Sequence, residues 1–228
     1  MSDSLTIVLL TKNEAGNIGP LIVALKSELA QAAPGFLVID ASHDATPEEA
    51  RAAGATVLAD NSPYGVALTR GLREAQSEWA LVLDADGSHL ARDARRLWEA
   101  REGADLVVGS RFAAGSGKSG QGAFRAWLSR RLAGLFAAFA RLPARDVSSG
   151  FRLYRRALFA DAQPAAQFFN VQPELLAHAA RKGARVKEVG ITYAPRGQGQ
   201  SKARVLKYGW AFLKSLWRIR RMLRSPSR

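Results

Sequence analysis

The stretch LVLDADGSH, from Leu81 to His89, joins a run of apolar residues directly to two acids. A short continuous apolar run of this kind is typical of a strand that is buried on both faces of a parallel sheet. The run ends in Asp84 and Asp86, and Gly87 follows them. Because alternate residues of an extended chain point to the same side, both carboxylates can face one cation. The stretch therefore predicts a central strand that leads into a metal-binding loop.

Apolar runs of the same character recur through the first 110 residues, and helical patterns separate them. The predicted strands are 5–11, 36–42, 55–60, 79–86 and 104–110. The predicted helices are 17–31, 47–53, 64–76 and 92–101. This alternation predicts the α/β class, with a mostly parallel central sheet that helices cover on both faces.

The second half of the chain has a different pattern. Two glycine-rich stretches, 112–124 and 196–202, predict loops. The remaining patterns predict a helix at 125–141, a short strand within 142–159, a helix at 171–183, a strand at 184–195 and a helix at 204–223. No internal repeat or linker interrupts the chain. We therefore expect one domain over residues 1–203 and a basic amphipathic helix over residues 204–228.

Charge is segregated along the chain. Residues 1–110 contain 9 Lys or Arg and 16 Asp or Glu, net −7, whereas residues 111–228 contain 24 and 4, net +20. A basic half of this size predicts a surface for an anion, whether phosphate, nucleic acid or acidic lipid. The sequence has no cysteine, which excludes disulfides and thiolate metal sites and suits a reducing cytoplasm. Neither a secretory leader nor an apolar span of roughly 20 residues is expected.

Polar residues follow several of the predicted strands. Asn13 and Glu14 come after the first strand, Asp40 ends the second, and Arg111 follows the fifth. One such residue alone is usually a solvated loop residue, but ligands of open α/β sheets bind beyond the carboxyl ends of the strands. Mg²⁺ and Mn²⁺ prefer a few carboxylates together with substrate phosphate oxygens. The set predicts a site that binds a metal ion and a phosphate.

Five segments in order carry a resemblance to a known family. They are LLTKNEAGNIGPLI, VIDASHDAT, LVLDADGSH, VVGSRF and RDVSSGFRLYRRALF. Over residues 5 to 203 the chain resembles family 2 glycosyltransferases, which have the GT-A fold. The segments LPARDVSSGFRLYRR and ELLAHAARKGARVKEVGITYAPRGQGQSK resemble, more narrowly, the dolichol-phosphate mannose synthase group, which includes bacterial polyprenyl-phosphate glycosyltransferases.

The resemblance implies a metal-dependent, inverting transfer of a hexose from a nucleotide sugar of the GDP-mannose or UDP-glucose type to a polyprenyl or dolichyl phosphate. The implied cofactor is Mg²⁺ or Mn²⁺. The implied halves are residues 1–110 for the nucleotide sugar and 111–203 for the acceptor. A lipid phosphate is already ionised near neutral pH, so catalysis needs positioning and charge stabilisation rather than a general base. The expected location is the cytoplasmic face of the membrane, with an integral-membrane partner left open and no nucleic acid bound.

The resemblance also assigns roles to individual residues. Those expected to bind the nucleotide sugar are Thr11, Asn13, Glu14, Asp40, Asp84 and Asp86. Those expected to bind the metal are Asp84, Asp86 and Ser88. Those expected to bind the acceptor or its phosphate are Arg111, Arg125, Arg130, Arg196, Ser201 and Lys202. Those expected to act in catalysis are Asp86, Arg111 and Arg196, while Asp146 is expected to shape the donor site near the sugar.

The sequence departs from the family pattern mainly on the nucleotide side. Leu10 and Lys12 replace the usual Pro and Tyr, Ile39 replaces the first of two paired Asp residues, and Ser62-Pro63 replaces Lys-Gly. The base and the sugar therefore stay open. A different acceptor, such as a glycan or a small molecule, and a catalytically degenerate homologue also stay open.

Other function classes fit the residues less well. A nucleotidyltransferase would carry a glycine-rich basic loop after the first strand, and a dehydrogenase would carry G-x-G-x-x-G there, but the chain has TKNEAGN at 11–17. A nucleic-acid binder would leave Asp84 and Asp86 unexplained.

The last segment, residues 204–228, contains no acid. An apolar stripe lies opposite a cationic one: Leu206, Trp210, Leu213 and Trp217 against Lys207, Lys214, Arg218 and Arg221. Such a helix is typical of an interfacial helix on anionic lipid, and we expect residues 204–223 to contact the membrane. The alternative is a terminal helix that packs on its own domain.

Overall fold

The structure, a computed structural model, describes residues 3–117, 123–194 and 205–224, with the backbone alone for 123–126 and 205–213. The strands are β1 Leu5–Thr11, β2 Gly35–Asp40, β3 Thr56–Ala59, β4 Trp79–Asp84, β5 Leu106–Ser110, β6 Arg152–Arg155 and β7 Val186–Gly190. The helices are α1 Ile18–Glu28, α2 Thr46–Ala52, α3 Tyr64–Glu74, α4 Ala91–Glu99, α5 Ala123–Ala140, α6 Val171–Arg181 and α7 Val205–Arg224. Two short 3₁₀ turns occupy Ala30–Ala32 and Arg156–Phe159.

The seven strands form one sheet in the order β3-β2-β1-β4-β6-β5-β7. All neighbouring pairs are parallel except those of β6, which is antiparallel to both β4 and β5. The predicted α/β class with a mostly parallel sheet is confirmed. The periodicity of the sequence indicated a short strand near β6 but not its place between two strands of the first half.

Both faces of the sheet are covered by helices. Ile7 and Leu9 of β1 belong to a buried cluster with residues of α1, α2 and α4. Val8, between them, belongs to a second cluster with residues of α3 and α6. Successive strand residues thus face opposite layers, and both layers are apolar, which explains the continuous apolar runs. Gly71 lets α3 approach the sheet closely, because a Cβ there would lie 2.5 Å from Val8 Cγ1.

The register of the central strands brings their polar ends to one edge. Thr11 at the end of β1 pairs with Asp40 at the end of β2, and Leu10 pairs with Asp84 at the end of β4. The chain order reverses at β1, since β2 and β3 lie on one side of it and β4 on the other. In open α/β sheets, ligands bind in the crevice at such a reversal.

The C-terminal helix α7 is present and packs on α5 and α6. Ser215 and Ile219 are fully buried, and Ile219 contacts Ala140 and Ala177. Trp217, in contrast, is 75% exposed. One side of the helix therefore belongs to the protein core, as the packing alternative expected, while another side faces outward. No helix in the described part of the chain has the length and apolar character needed to span a bilayer.

Candidate active site

The carboxylate of Asp40 is held in place at the end of β2. Thr11 Oγ1 and Ser42 Oγ each donate a hydrogen bond of 2.6 Å to Asp40 Oδ1, and Ser42 N donates to Oδ2 at 3.2 Å. Thr11 and Asp40 are buried. Three donors therefore fix the orientation of an acceptor group at the crevice, which suits it to bind hydroxyl groups of a ligand.

Hydrogen bonds join the loop after β1 to the loop after β2. Asn13 adopts a left-handed backbone (φ 58°), which Asn tolerates better than most residues. Backbone N–H groups of the first loop donate to side chains of the second: Asn13 to Ser42, Glu14 to Thr46 and Gly16 to Glu49, each at 2.8 Å. These amides already have protein acceptors. The loop therefore lacks the open amides with which a phosphate-binding glycine-rich loop works.

The second wall of the crevice is the loop after β4. Asp84 ends the strand, and Asp86 is buried. Ser88 N and Ser88 Oγ both donate to Asp86 Oδ1, at 3.0 and 2.5 Å. Ser88 is fully buried, so its hydroxyl orients the Asp86 carboxylate. Gly87 has φ 77°, a left-handed conformation that glycine adopts without strain, and this allows the turn.

His89 is a buried part of the same loop. Its Nδ1 accepts a hydrogen bond of 3.2 Å from Asp84 N, which assigns the proton of the neutral ring to Nε2. The ring packs on Phe151 and Tyr193, with centroids 4.8 and 5.8 Å away. Burial lowers the pKa of His89 to about 4, although the charge of Asp86 opposes the shift. His89 is therefore uncharged near neutral pH and stabilises the loop.

Arg111 and Asp146 form a paired group beside the loop. Arg111 Nε donates to Asp146 Oδ2 at 2.8 Å and Nη2 to Oδ1 at 2.7 Å, while Arg111 N also donates to Oδ2 at 2.9 Å. Burial favours protonated Asp146, but Arg111 outweighs this and holds the pKa of the carboxyl below its usual value. Burial likewise disfavours charged Arg111, yet Asp146, Tyr193 and Asp84 raise its pKa. The guanidinium is thus a fixed positive charge within electrostatic reach of Asp84.

The turn that carries Asp146 is fixed by β7. Glu188 of β7 accepts hydrogen bonds of 3.0 Å from Arg145 N and from Asp146 N. Ser148 Oγ accepts a bond of 2.7 Å from Arg111 Nη2. Strands β5 and β7 therefore position the pair from both sides.

Three further residues at the site escaped the sequence interpretation. Gly150 follows the same turn, and a Cβ there would lie 3.7 and 3.8 Å from the two carboxylate oxygens of Asp84 and 3.0 Å from Tyr64 Oη. Gln172 Nε2 donates to Tyr64 Oη at 3.1 Å. Burial and the charge of Asp84 raise the pKa of Tyr64 well above its usual value, so the phenol stays protonated. For these three residues, the only sign of a role at the site in the sequence was that Gly150 belongs to RDVSSGF, a segment that resembles the family.

The segment before residue 195 reaches the loop after β4. Ala194 N donates to Ser88 O at 3.0 Å, and Tyr193 forms a β-bridge with His89. Arg196, Ser201 and Lys202 lie outside the described residues, as does the side chain of Arg125. Arg130 is exposed and donates to Phe112 O, next to Arg111, at 2.6 Å. Of the predicted site residues, the structure brings together Thr11, Asn13, Glu14, Asp40, Asp84, Asp86, Ser88 and Arg111 at the edge where β1, β2 and β4 end.

The side chains at this edge suit a hard divalent cation. Among the described residues, no group of three or more His, Cys, Asp or Glu has the arrangement of a metal site. Asp84 and Asp86 alone match the needs of Mg²⁺ or Mn²⁺, which complete their coordination with water and phosphate oxygens, and not those of a structural zinc site. Gly150 brings no side chain against the Asp84 carboxylate, where a Cβ would be in van der Waals contact with both oxygens. The residues present therefore fit Mg²⁺ or Mn²⁺ at Asp84 and Asp86.

Comparison with known proteins decides the family. The family model described as glycosyl transferase family 2 matches residues 6–162, more than half of the chain. The chain belongs to glycosyltransferase family 2. The family membership that the sequence motifs predicted is thereby confirmed.

Relatives of this family 2 glycosyltransferase include two proteins from Haloferax volcanii. Glycosyltransferase AglJ is 32% identical over 205 residues, 86% of this chain and 65% of AglJ. A dolichyl-phosphate hexose transferase is 28% identical over 225 residues, 95% of this chain and 94% of that protein. The chain thus spans less than two thirds of AglJ but nearly the full length of the second relative.

A solved structure shows the same fold. Glucosyl-3-phosphoglycerate synthase from Mycobacterium tuberculosis, in complex with Mn²⁺, UDP and glucosyl-3-phosphoglycerate, superposes with a TM-score of 0.70 at 21% identity. The match covers 95% of this chain and 80% of that one. The predicted GT-A fold of this family 2 glycosyltransferase is confirmed.

Proposed function

We propose that the protein transfers a hexose, with inversion, from a nucleotide sugar to a polyprenyl phosphate, with Mg²⁺ or Mn²⁺ held by Asp84 and Asp86. One observation carries the proposal: two carboxylates lie at the reversal point of the sheet, with the fixed charge of Arg111 in electrostatic reach. The relative that is named a dolichyl-phosphate hexose transferase supports the choice of acceptor.

We assign the donor side to residues 1–110. Asp40, oriented by Thr11 and Ser42, is placed to accept hydrogen bonds from the nucleoside. Asn13 and Glu14 border the same wall. Ser88 orients Asp86, and the two aspartates would hold the cation. A bound cation would supply Lewis-acid stabilisation of the leaving diphosphate.

We assign the acceptor side to residues 111–203. An ionised lipid phosphate can attack without losing a proton, so the site needs cationic guidance rather than a base. The uncharged His89, with Nδ1 occupied by Asp84 N, fits this requirement. Arg111, held by Asp146, is the described cation best placed to position a phosphate. Arg125, Arg130, Arg196, Ser201 and Lys202 are proposed to complete the acceptor site.

A panel of substrates tests this proposal. The purified protein would be incubated with UDP- and GDP-hexoses, Mg²⁺ or Mn²⁺, and either a short polyprenyl phosphate or 3-phosphoglycerate. We expect the polyprenyl phosphate to be glycosylated and excess chelator to lower the rate at least about 100-fold. Transfer to 3-phosphoglycerate in place of the lipid would overturn the acceptor. Undiminished turnover with chelator would overturn the metal, and no turnover with any donor would indicate a degenerate homologue.

We also propose that α5, together with α7, lies on the anionic inner face of the membrane. The stripe of α5 repeats at helical spacing and is exposed: Leu128, Leu132, Leu135 and Phe139, with Leu135 67% exposed. Trp127 and Trp217 are also exposed. Guanidinium groups lie over the aromatic rings, Arg131 over Trp127 and Arg220 over Phe139. An apolar stripe with aromatic and cationic neighbours suits an anionic lipid surface.

Point substitutions on α5 test the membrane surface more cleanly than removal of residues 204–228, because removal would also take Ile219 from the core. We expect Leu132→Glu with Leu135→Glu to weaken binding to phosphatidylglycerol vesicles at least about tenfold, since each Leu contributes about 1.5–3 kcal/mol on burial. Vesicle sedimentation measures the effect. Val23→Glu, at a 62% exposed residue of α1, is the matched control and should leave binding unchanged. Equal binding by the double variant and the control would contradict the proposal.

A further inference from the structure

A relay of hydrogen bonds leads from the core to Tyr64. Tyr154 Oη donates to Gln172 Oε1 at 3.1 Å, and Gln172 Nε2 donates to Tyr64 Oη at 3.1 Å. Tyr154 and Gln172 are fully buried. The orientation of the amide is assigned from this network: with its oxygen bonded to Tyr154, its nitrogen must face Tyr64. Arg152 Nη1 also donates to the backbone oxygen of Gln172 at 2.7 Å, and this bond holds the backbone of Gln172 in place.

The relay determines where the proton of Tyr64 points. The phenolic oxygen accepts from Gln172, so its own O–H must be directed elsewhere. The space beside Gly150 lies within 4 Å of the Tyr64 hydroxyl and of both Asp84 carboxylate oxygens. The Asp84 carboxylate is thus the nearest acceptor around this point besides the hydroxyl itself, although the structure records no hydrogen bond between the two.

Tyr64 is also held in position from the other side. Its ring stacks on Phe169, with centroids 4.2 Å apart and planes at 21°. The next amide, Gly65 N, donates to Gln167 O at 2.7 Å. A side chain at Gly65 would not fit, because a Cβ would lie 2.5 Å from Ala166 O. The start of α3 is thus fixed against the loop before α6.

That loop is anchored in turn. Glu174 Oε2 accepts from Ala165 N and Ala166 N at 2.9 and 3.0 Å. The other oxygen of Glu174 accepts from Ser215 Oγ at 3.1 Å and pairs with Arg218 of α7. The place of Tyr64 is therefore determined by contacts that extend to the C-terminal helix.

We infer that Tyr64 is a positioning residue for the metal site: its hydroxyl, directed away from Gln172 and toward the Asp84 carboxylate, orients the carboxylate oxygen that faces the cation. The inference rests on the proposed function, in which Asp84 and Asp86 bind Mg²⁺ or Mn²⁺. Groups that orient a ligating carboxylate commonly contribute 10- to 100-fold to metal affinity or activity, on the order seen for outer-shell partners. Tyr64 acts through Asp84 and has no role of its own in bond making.

Binding of Mn²⁺ alone tests the inference without turnover. The electron paramagnetic resonance signal of free Mn²⁺ gives the dissociation constant for the wild type and for Tyr64→Phe, which loses only the hydroxyl. We expect Tyr64→Phe to bind Mn²⁺ about tenfold more weakly. In the transfer assay, the Mn²⁺ concentration for half-maximal rate should rise by the same factor, with little change in the rate at saturating Mn²⁺.

Two further variants make the outcome decisive. Thr6→Val removes a buried hydroxyl that bonds Ser77 Oγ at 2.7 Å at the opposite end of the sheet, and it should bind Mn²⁺ like the wild type. Asp86→Ala should lose Mn²⁺ binding. If Asp86→Ala loses binding while Tyr64→Phe matches the wild type, the role of Tyr64 is overturned and the metal site stands. If Asp86→Ala also binds normally, the proposed function itself fails.

Discussion

Replacing Asp86 by Asn is expected to lower the rate of hexose transfer about 10³-fold while the protein stays folded. Asp86 is buried, and its Oδ1 accepts from both Ser88 N and Ser88 Oγ. Asn keeps an oxygen at this position for both bonds, so the turn should persist. What it removes is the negative charge that a divalent cation requires. A lost stabilisation of about 4 kcal/mol at the leaving diphosphate corresponds to about three powers of ten in rate.

Initial rates at saturating Mn²⁺, with the donor and lipid phosphate found in the substrate panel, measure this effect. Asp161→Asn makes the same chemical change at a 63% exposed carboxylate paired with Lys182, and it should leave the rate unchanged. Thermal unfolding of both variants verifies that they are folded. Wild-type turnover by Asp86→Asn would show that Asp86 does not bind a catalytic cation.

Replacing Asp146 by Asn is expected to lower the free energy of unfolding at pH 7 by about 3–5 kcal/mol. Asp146 is fully buried and binds Arg111 through both carboxylate oxygens. The amide of Asn would turn N–H donors toward a guanidinium that also carries only donors. A partly buried positive charge would then lack its partner, and this is the costly case for buried ion pairs.

For the same variant, we expect the stability difference from the wild type to depend on pH in a specific way. Arg111 holds the folded pKa of Asp146 below its usual value of 3.8 despite the opposing effect of burial. The stabilisation by Asp146 is therefore fully present above pH 3.8 and is lost as the pH falls through the lower, folded pKa. The difference between wild type and Asp146→Asn should stay constant from pH 7 to about pH 5 and shrink only in stronger acid.

Denaturant unfolding at a series of pH values measures both effects. Asp161→Asn is again the control, because its solvent-exposed ion pair with Lys182 should contribute little to stability. A loss under about 1 kcal/mol for Asp146→Asn would mean that the pair does not stabilise the crevice. A difference that grows toward acid would contradict the direction of the pKa shift.

The sequence predicts the sheet well because the strands are buried on both faces. Runs such as those around Val8 and Leu81 stay apolar over several residues only if both faces meet helices. The convergence of Asp40 and Asp84 at one edge also follows from the sequence, since both residues end parallel strands.

The rest of the candidate site depends on contacts between distant residues. Tyr64 and Gln172 meet although 108 residues separate them along the chain. A tyrosine at the start of a helix has no periodicity that would reveal such a partner. Ser88 was predicted as a metal ligand, and the structure shows its hydroxyl donating to Asp86. Direct ligation by Ser88 stays a prediction.

The helical patterns also could not distinguish one apolar surface from another. In α7, Ile219 packs on Ala140 and Ala177, whereas Trp217 is exposed. Both are apolar residues of one helix, and hydropathy assigns them the same preference. The exposed stripe on α5 is equally apolar, and only the fold shows that Leu135 is left outside the core.

The antiparallel strand β6 has a consequence for how the protein is made and how it can be recombined. Both neighbours of β5, which are β6 and β7, come from the later part of the chain. A ribosome that has released only residues 1–110 therefore holds a strand with no partner and a bare edge on β4, the kind of edge that invites aggregation. The seven-stranded sheet can be completed only after β7, which ends at Gly190, has emerged. Exchanging acceptor segments between family members at residue 110 would place a new β6 and β7 against an old β5. An exchange that also transfers β5 leaves only the pair of β4 and β6 mixed, so we expect it to preserve the sheet better.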